Sequence, residues 1–238
     1  MKTTRTKTIH KRINTGHLIV HLALLAGIVV VVFPFLWMLL TSFKTTGESL
    51  KIPPTFFPEK WTLEAYKTIT SSTIPFGTVY LNTILSAVIT TVVQIVFCSM
   101  AGYAFARIEF PFKNFIFVLL LSVLMVPGQI FLLPQYQLIQ KMGLLNTIPA
   151  LFLPNLFSAF GTFLLRQFFM SMPQELEDAA IVDGCNRFQI FGRIMVPLIQ
   201  PGIAALTIFT FKFAWNDFMW PLIVNTSMNK MTLGPALS

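Results

Sequence analysis

The sequence predicts an all-α, polytopic protein embedded in a membrane. Two facts of composition and one pattern predict it. Of 238 residues, 55% are apolar and only 11% are charged, where a soluble domain carries about a quarter charged residues. A mean hydropathy of +0.72 agrees. So few charges cannot cover a water-facing surface. The apolar residues collect in five long blocks, and none alternates with period two as a barrel strand would. This excludes a soluble enzyme and a disordered chain. The net charge of +8 does not make a nucleic-acid binder, because the basic residues are scattered among the apolar blocks. Cys98 and Cys185 form no CxxC, and His10, His17 and His21 have no partners at metal-ligand spacing.

A spanning helix needs about 20 mostly apolar residues, since each residue rises about 1.5 Å through a core about 30 Å thick. Leu18–Leu40 meets this with His21 as its one polar residue. Val79–Ala106 exceeds it, and Phe115–Leu133 meets it with Pro127 and Gly128 as interruptions. Ile148–Phe169 follows, with Pro149 and Pro154 near its start, and Ile203–Val224 is the fifth. The first block follows a basic leader (Lys2, Arg5, Lys7, Lys11, Arg12) like that of a secretory signal. Its apolar core exceeds the usual length of about 7–15 residues, and no A-x-A site follows, so it reads as an uncleaved helix.

Lysine and arginine set the orientation. Five in the leader place residues 1–17 in the cytoplasm, with 18–40 as the first span and 41–75 as an extracytoplasmic loop. A short helix is expected there around Thr62–Ile69. Alternating onward, Arg107, Lys113, Arg166, Arg187 and Arg193 fall inside, ten in all. Lys44, Lys51, Lys60, Lys67, Lys141 and Lys230 fall outside, six in all. Trp37, Trp215 and Trp220 then lie near the outer interface. Residues 76–238 form the core. Five spans leave the tail Gly234–Ser238 outside with no closing element, so the chain reads as either a five-span protein or an incomplete one.

The stretch 171–200 reads as two short helices joined by glycine. Ser171 with Gln174 has capping-box spacing, and Pro173 suits a first turn. Glu175, Glu177 and Asp178 place negative charge where the helix dipole favours it. Gly184 can end the helix in the left-handed region, and Asn186 with Gln189 offers a second cap. Leu176, Ala179, Ala180 and Asp183 share one face at i, i+3, i+4 and i+7, where small alanines would let another protein approach. On these grounds alone a solvated connecting loop remains an equal reading.

The string Glu175-Leu-Glu-Asp-Ala-Ala-Ile-Val-Asp-Gly184, with Ile194-Met-Val-Pro197 after it, resembles the cytoplasmic signature of bacterial ABC-importer permeases: E-A-A, three residues, G, nine residues, I-x-L-P. Asp178 stands for its glutamate and Val196 for its leucine. Leu81-Asn-Thr83, Ala101-Gly-Tyr-Ala-Phe-Ala-Arg107, Met125-Val-Pro127, Gly143-Leu-Leu-Asn-Thr147, Phe163-Leu-Leu-Arg-Gln-Phe168 and Trp215-Asn-Asp-Phe218 are similar to the carbohydrate branch, the second permease of maltose-type and glycerol-phosphate-type importers. The resemblance implies a type I importer fold of six spans, the sixth missing here. It implies a heterodimer with a second permease, two ATPase subunits below, a solute-binding protein outside, and residence in the bacterial inner membrane. Glu175, Glu177, Asp178, Ala179, Ala180, Asp183, Gly184, Ile194 and Pro197 would then form the loop that couples to an ATPase. ATP would bind the partner subunits and no cofactor this chain, which has no G-x-x-x-x-G-K-[ST]. It has no HExxH and no catalytic Ser/His/Asp set either, so it is not expected to be an enzyme.

Within the spans, Asn82, Thr83, Ser86, Thr90 and Gln94 fall in an arc of about 120°. They read either as a polar wall of a sugar pathway or as interhelical hydrogen-bonding groups. Asn82, Ser86, Thr90 and Gln94, with Asn155 and Lys212, make the candidate pathway lining. Lys212 lies near the middle of the expected fifth span, where a lysine costs about 2.5–3.5 kcal/mol, so it should face protein or a watery cavity. A sugar-importer permease is the leading reading. A permease for amino acids, peptides or polyamines, and a scaffold or channel without ATPase, are the alternatives.

Overall fold

The computed structural model describes residues 15–71 and 74–238. The leader charges lie outside them. Regular structure among the described residues is helical, and the chain divides into two compact units between residues 73 and 74.

The first unit is dominated by α1, Thr15–Ser42. Its apolar stretch Val20–Ser42 has 23 residues and is about 35 Å long, enough to cross a bilayer. The chain beyond it folds back on itself. The Lys44 ammonium is buried, donates to the carbonyl of Thr55 and lies 5.0 Å from the centre of the Trp37 ring. Glu48 is buried beside it, and its carboxylate accepts from the Glu59 N–H and the Thr55 hydroxyl, both at 2.8 Å. Phe43 packs on Trp61 and Tyr66. A short helix, α2, follows at Glu64–Ser71, about two residues later than the sequence suggested.

The second unit is built round α3, Phe76–Arg107, a 32-residue helix about 48 Å long. Next come α4 (Lys113–Ser122), α5 (Leu132–Lys141), α6 (Ile148–Phe152), α7 (Ala159–Met170) and α8 (Glu175–Val182). An elbow over Arg187–Leu198 leads to α9 (Gln200–Trp215) and α10 (Met219–Val224). Among the described residues, α1 and α3 are the single helices long and apolar enough to span. Three bent pairs raise the number to five if each is one span.

Two of those bends, and a break after Trp215, revise three expected spans. The block 115–133 is no straight rod: Lys113–Met125 and Gly128–Lys141 meet at 99° around Pro127, which cannot donate the helical hydrogen bond. Ile148–Asn155 and Ala159–Met170 meet at 49°. The expected helix 203–224 stops at Trp215. There the Lys212 carbonyl accepts both the Asn216 N–H at 3.1 Å and the Asn216 side chain at 2.8 Å, and Asp217 accepts from the Trp220 N–H at 3.3 Å, so a side chain serves a backbone N–H of the first turn after the break.

Two clusters hold this unit together. Cys98, Tyr103, Leu165, Phe169, Ala180, Ile190, Met195, Ile199 and Leu206 join α3, α7, α8, the elbow and α9. Ile139, Ala150, Leu151, Trp220 and Val224 join α5, α6 and α10. Helices approach closely where a side chain is missing. A Cβ on Gly102 would lie 3.0 Å from the backbone nitrogen of Arg166, and one on Gly202 would lie 2.6 Å from the Phe168 ring.

Two outcomes are expected. Gly202→Ala should push the Phe168 ring aside and destabilise the α7–α9 contact by roughly 1–3 kcal/mol, read as a lower unfolding temperature in detergent. In the first unit the Glu59 N–H, and after it the Thr55 hydroxyl, hold the Glu48 carboxyl below the usual carboxylate range. These donors favour the charged form. The loop's stability is therefore complete above the ordinary carboxylate value and falls away as pH drops through the depressed folded value. Glu48→Gln should speed amide exchange at Glu59 at neutral pH and flatten its dependence on acid.

Candidate functional site

The short helix α8 begins after Pro173, and its first N–H bonds go to the Gln174 carbonyl, from Glu177 at 2.9 Å and Asp178 at 3.1 Å. Ser171 is not its cap, contrary to expectation. Helix α7 runs through Met170, so Ser171 closes that helix instead, its hydroxyl donating to the Phe168 carbonyl at 2.8 Å. The C-terminal end of α8 follows the expected chemistry. Gly184 has φ +79°, Cys185 N–H donates to the Ala180 carbonyl at 2.9 Å, and Gly184 N–H to the Ile181 carbonyl at 3.0 Å. This is a Schellman closure. Asn186 then caps the elbow: its side-chain Oδ1 accepts from the Gln189 N–H at 2.9 Å, and its backbone N–H donates to the Gln189 side chain at 2.8 Å. The elbow continues as a π-helical turn over Ile190–Met195 and meets α9 at 77°.

The faces of α8 divide differently from the sequence reading. Glu177 and Ala180 turn inward, only 4% exposed each. Ala180 joins the first cluster, so it cannot also admit a partner. Glu175, Asp178, Ala179 and Val182 share the outward face, and Val182 is 87% exposed. Asp183, Gly184 and Phe188 extend that exposed surface. Ile194 is half-buried and Pro197 exposed on the elbow.

Glu177 is the residue whose role the sequence concealed. Its Oε1 lies 3.0 Å from Arg107 Nε at the end of α3, and its Oε2 accepts from the Tyr103 hydroxyl at 3.2 Å. Arg187 of the elbow approaches Oε2 at 3.8 Å. Arg107 also donates to the carbonyls of Phe169 (2.7 Å) in the last turn of α7 and of Met172 just beyond it. One guanidinium thus ties together the ends of three helices. Arg107 and Tyr103 stood in the sequence as a positive end charge and part of a family string, and Glu177 as a dipole charge.

Further along the unit lies a cavity of about 890 Å³. Gln94 of α3, Asn155 and Ser158 before α7, Thr210 and Lys212 of α9, and Asn216 and Asp217 of the break supply its polar wall. Phe157, Phe160, Phe209, Phe213 and Phe218 supply aromatic faces. Gln94 is held at both ends of its amide, donating to the Asn155 carbonyl at 2.5 Å and accepting from the Thr210 hydroxyl at 3.0 Å. Lys212 is not mid-helix. It occupies the last turn of α9, which ends three residues later.

The structure therefore brings Gln94, Asn155 and Lys212 of the candidate lining together and leaves the others apart. Asn82, Thr83, Ser86 and Thr90 are buried on α3 outside the cavity wall. Asn82 donates to the carbonyls of Asn229 (3.0 Å) and Met231 (2.9 Å), and the Thr83 hydroxyl accepts from the Leu233 N–H at 2.8 Å. These groups fasten the stretch 228–236 to α3.

Residues 94–238 match the family described as binding-protein-dependent transport system inner membrane component. The chain is 37% identical to the arabinooligosaccharides transport system permease protein of Halalkalibacterium halodurans over 206 residues, covering 86% of this chain and 74% of that one. It is 36% identical to the diacetylchitobiose uptake system permease protein of Streptomyces coelicolor, covering 90% and 70%. A crystal structure of a bacterial ABC transporter that imports the acidic polysaccharide alginate matches its fold with a TM-score of 0.80 at 21% identity, over 97% of this chain and 81% of that one.

Removing one partner of a buried ion pair costs about 3–5 kcal/mol. Glu177→Gln should therefore release α8 from α3, seen as faster proteolysis between residues 171 and 186. Arg187, more than half exposed, should matter by less than about 1 kcal/mol when changed to alanine.

Proposed function

This chain belongs to the family of binding-protein-dependent transport system inner membrane components, and we propose that it forms half of the translocation pathway of an ATP-driven sugar importer. The observation that carries this reading is the shared use of α3. Its Gln94 lines the cavity and its Arg107 holds the α8 lever, thirteen residues and about 20 Å further on. The 33–37% identity to permeases of sugar and sugar-derivative importers, over 86–92% of this chain, supports the substrate class.

The partners are a second permease in a heterodimer, two ATPase subunits and an extracytoplasmic binding protein. The N-terminus and the 171–200 loop lie in the cytoplasm, with residues 41–75 outside. ATP is bound and hydrolysed on the ATPase subunits. The exposed face of α8 combines carboxylates at Glu175 and Asp178 with small or apolar Ala179 and Val182. It suits an ATPase groove that is apolar at its floor and basic at its rim. Closing that groove pulls on α8, and the Glu177–Arg107 pair passes the pull to α3. Two packings of a helix bundle then exchange, and the cavity opens to one side or the other. A sugar fits the cavity chemically: amides and hydroxyls meet its hydroxyls, and phenylalanine faces meet its C–H faces.

Ala179 and Ala180 separate coupling from folding. Ala179→Trp places bulk on the docking face and should lower sugar uptake at least about tenfold in proteoliposomes holding the whole transporter, because close approach of the groove is lost. The chain should remain folded and inserted. Ala180→Trp overpacks the core and should reduce the amount of folded chain. Full uptake and binding-protein-stimulated ATP hydrolysis in Ala179→Trp would remove α8 as the coupling element.

A further inference from the structure

We propose that Lys212 selects for an acidic carbohydrate, one whose ring carries a carboxylate or phosphate. The inference rests on the transport reading above and names the substrate class of that cavity. Lys212 is the one basic residue in the cavity wall. Its ammonium has no carboxylate within 4.0 Å and no hydrogen-bond acceptor among the described residues. Lys212 is exposed where it lines the cavity, and so remains open to an entering ligand, whereas the buried Lys44 and Arg107 are already matched, by Thr55 and by Glu177.

The nearest acid in sequence, Asp217, lines the same cavity without answering Lys212. Its carboxylate accepts from the Trp220 N–H and holds the first turn of α10 in place. The positive charge does complement the C-terminal end of α9, where Lys212 occupies the last turn. That role would be filled equally by a lysine pointing away from the cavity. Apart from Asp217, the polar groups of the wall are neutral, with Gln94 already bound to Asn155 and Thr210. A sugar's hydroxyls need only such neutral partners. An ammonium left open among them adds recognition of an anion, through a charge-assisted hydrogen bond to an oxygen of the substrate.

The test uses the complete transporter in proteoliposomes with its own binding protein. It is offered neutral gluco-, xylo- and galacto-disaccharides, their uronic-acid counterparts, and hexose 6-phosphates. The wild type should take up an acidic probe, uronate or phosphate, and the arm that responds identifies the acid group. Lys212→Gln should raise the KM for that probe about 10- to 100-fold, the loss expected for one charge-assisted hydrogen bond. Lys212→Arg should restore most of it, and assembly should be intact in both variants. Uptake of neutral disaccharides alone overturns this inference and leaves the transport reading standing. So does uptake of an acidic probe that Lys212→Gln leaves unchanged. Uptake of none of the probes overturns both.

Discussion

A carboxylate kept from water needs partners, and Glu177 finds its partners on elements far apart in sequence. The ion pair to Arg107 forces the first turn of α8 to lie against the end of α3. The Tyr103 hydroxyl fixes the same carboxylate from one turn further back on α3. Since Arg107 also holds the terminal carbonyls of α7, the direction in which that helix leaves the bundle is set by the same charge. Remove the pair and α8 keeps little besides Ala180 to seat it, because its other faces are exposed. A helix held by one buried charge pair and one small apolar contact is tied to its anchor, which is what the proposed coupling role requires.

The anchor works because the helices behind it are close-packed. Among membrane helices burial of apolar surface gives little preference for one partner over another, so backbone proximity decides. Gly102 lets α3 approach the backbone of α7, and Gly161 lets α7 approach Cys98 of α3. Gly202 makes room for the Phe168 ring where α9 begins. These contacts lie in or beside the cluster that contains Tyr103 and Ala180. The rigid part of the unit is thus the part that holds the lever.

How much of this the sequence disclosed depends on the range of each interaction. Apolar runs announce helices because every residue of a run contributes to the signal, and α1 and α3 came through with nearly their expected bounds. The caps at Gly184 and Asn186 were legible because both partners lie within five residues. Ser171 misled because a hydroxyl can close the helix before it as readily as open the one after. The halt at Trp215 was hidden because Asn216 and Asp217 stand in a run still apolar enough to span. The Glu177–Arg107 pair was invisible for a different reason. Seventy residues separate the partners, and each charge already had a sufficient local explanation. Asn82 and Thr83 could not be resolved between pathway and packing, since their partners are backbone groups, which every residue carries.

The breaks in the helices and the cavity are one feature seen twice. A continuous helix from 203 to 224 would present a closed wall, with every backbone group bonded within it. Stopping at Trp215 turns Asn216 and Asp217 into a polar rim and lets α10 pack away through Trp220, whose indole N–H donates to the Ala150 carbonyl at 2.8 Å. The break between α6 and α7 does the same on the facing side, exposing the Asn155 carbonyl that Gln94 binds. Two interrupted helices therefore face one unbroken helix across the cavity. The unbroken one, α3, is the member that carries the anchor of the lever. Force applied at Arg107 travels along a stiff rod, while compliance sits at residues 156–158 and 216–218, where the helices bend. On the transport reading proposed above, such a bundle would change shape first around its cavity, where a bound solute would feel the displacement of α8.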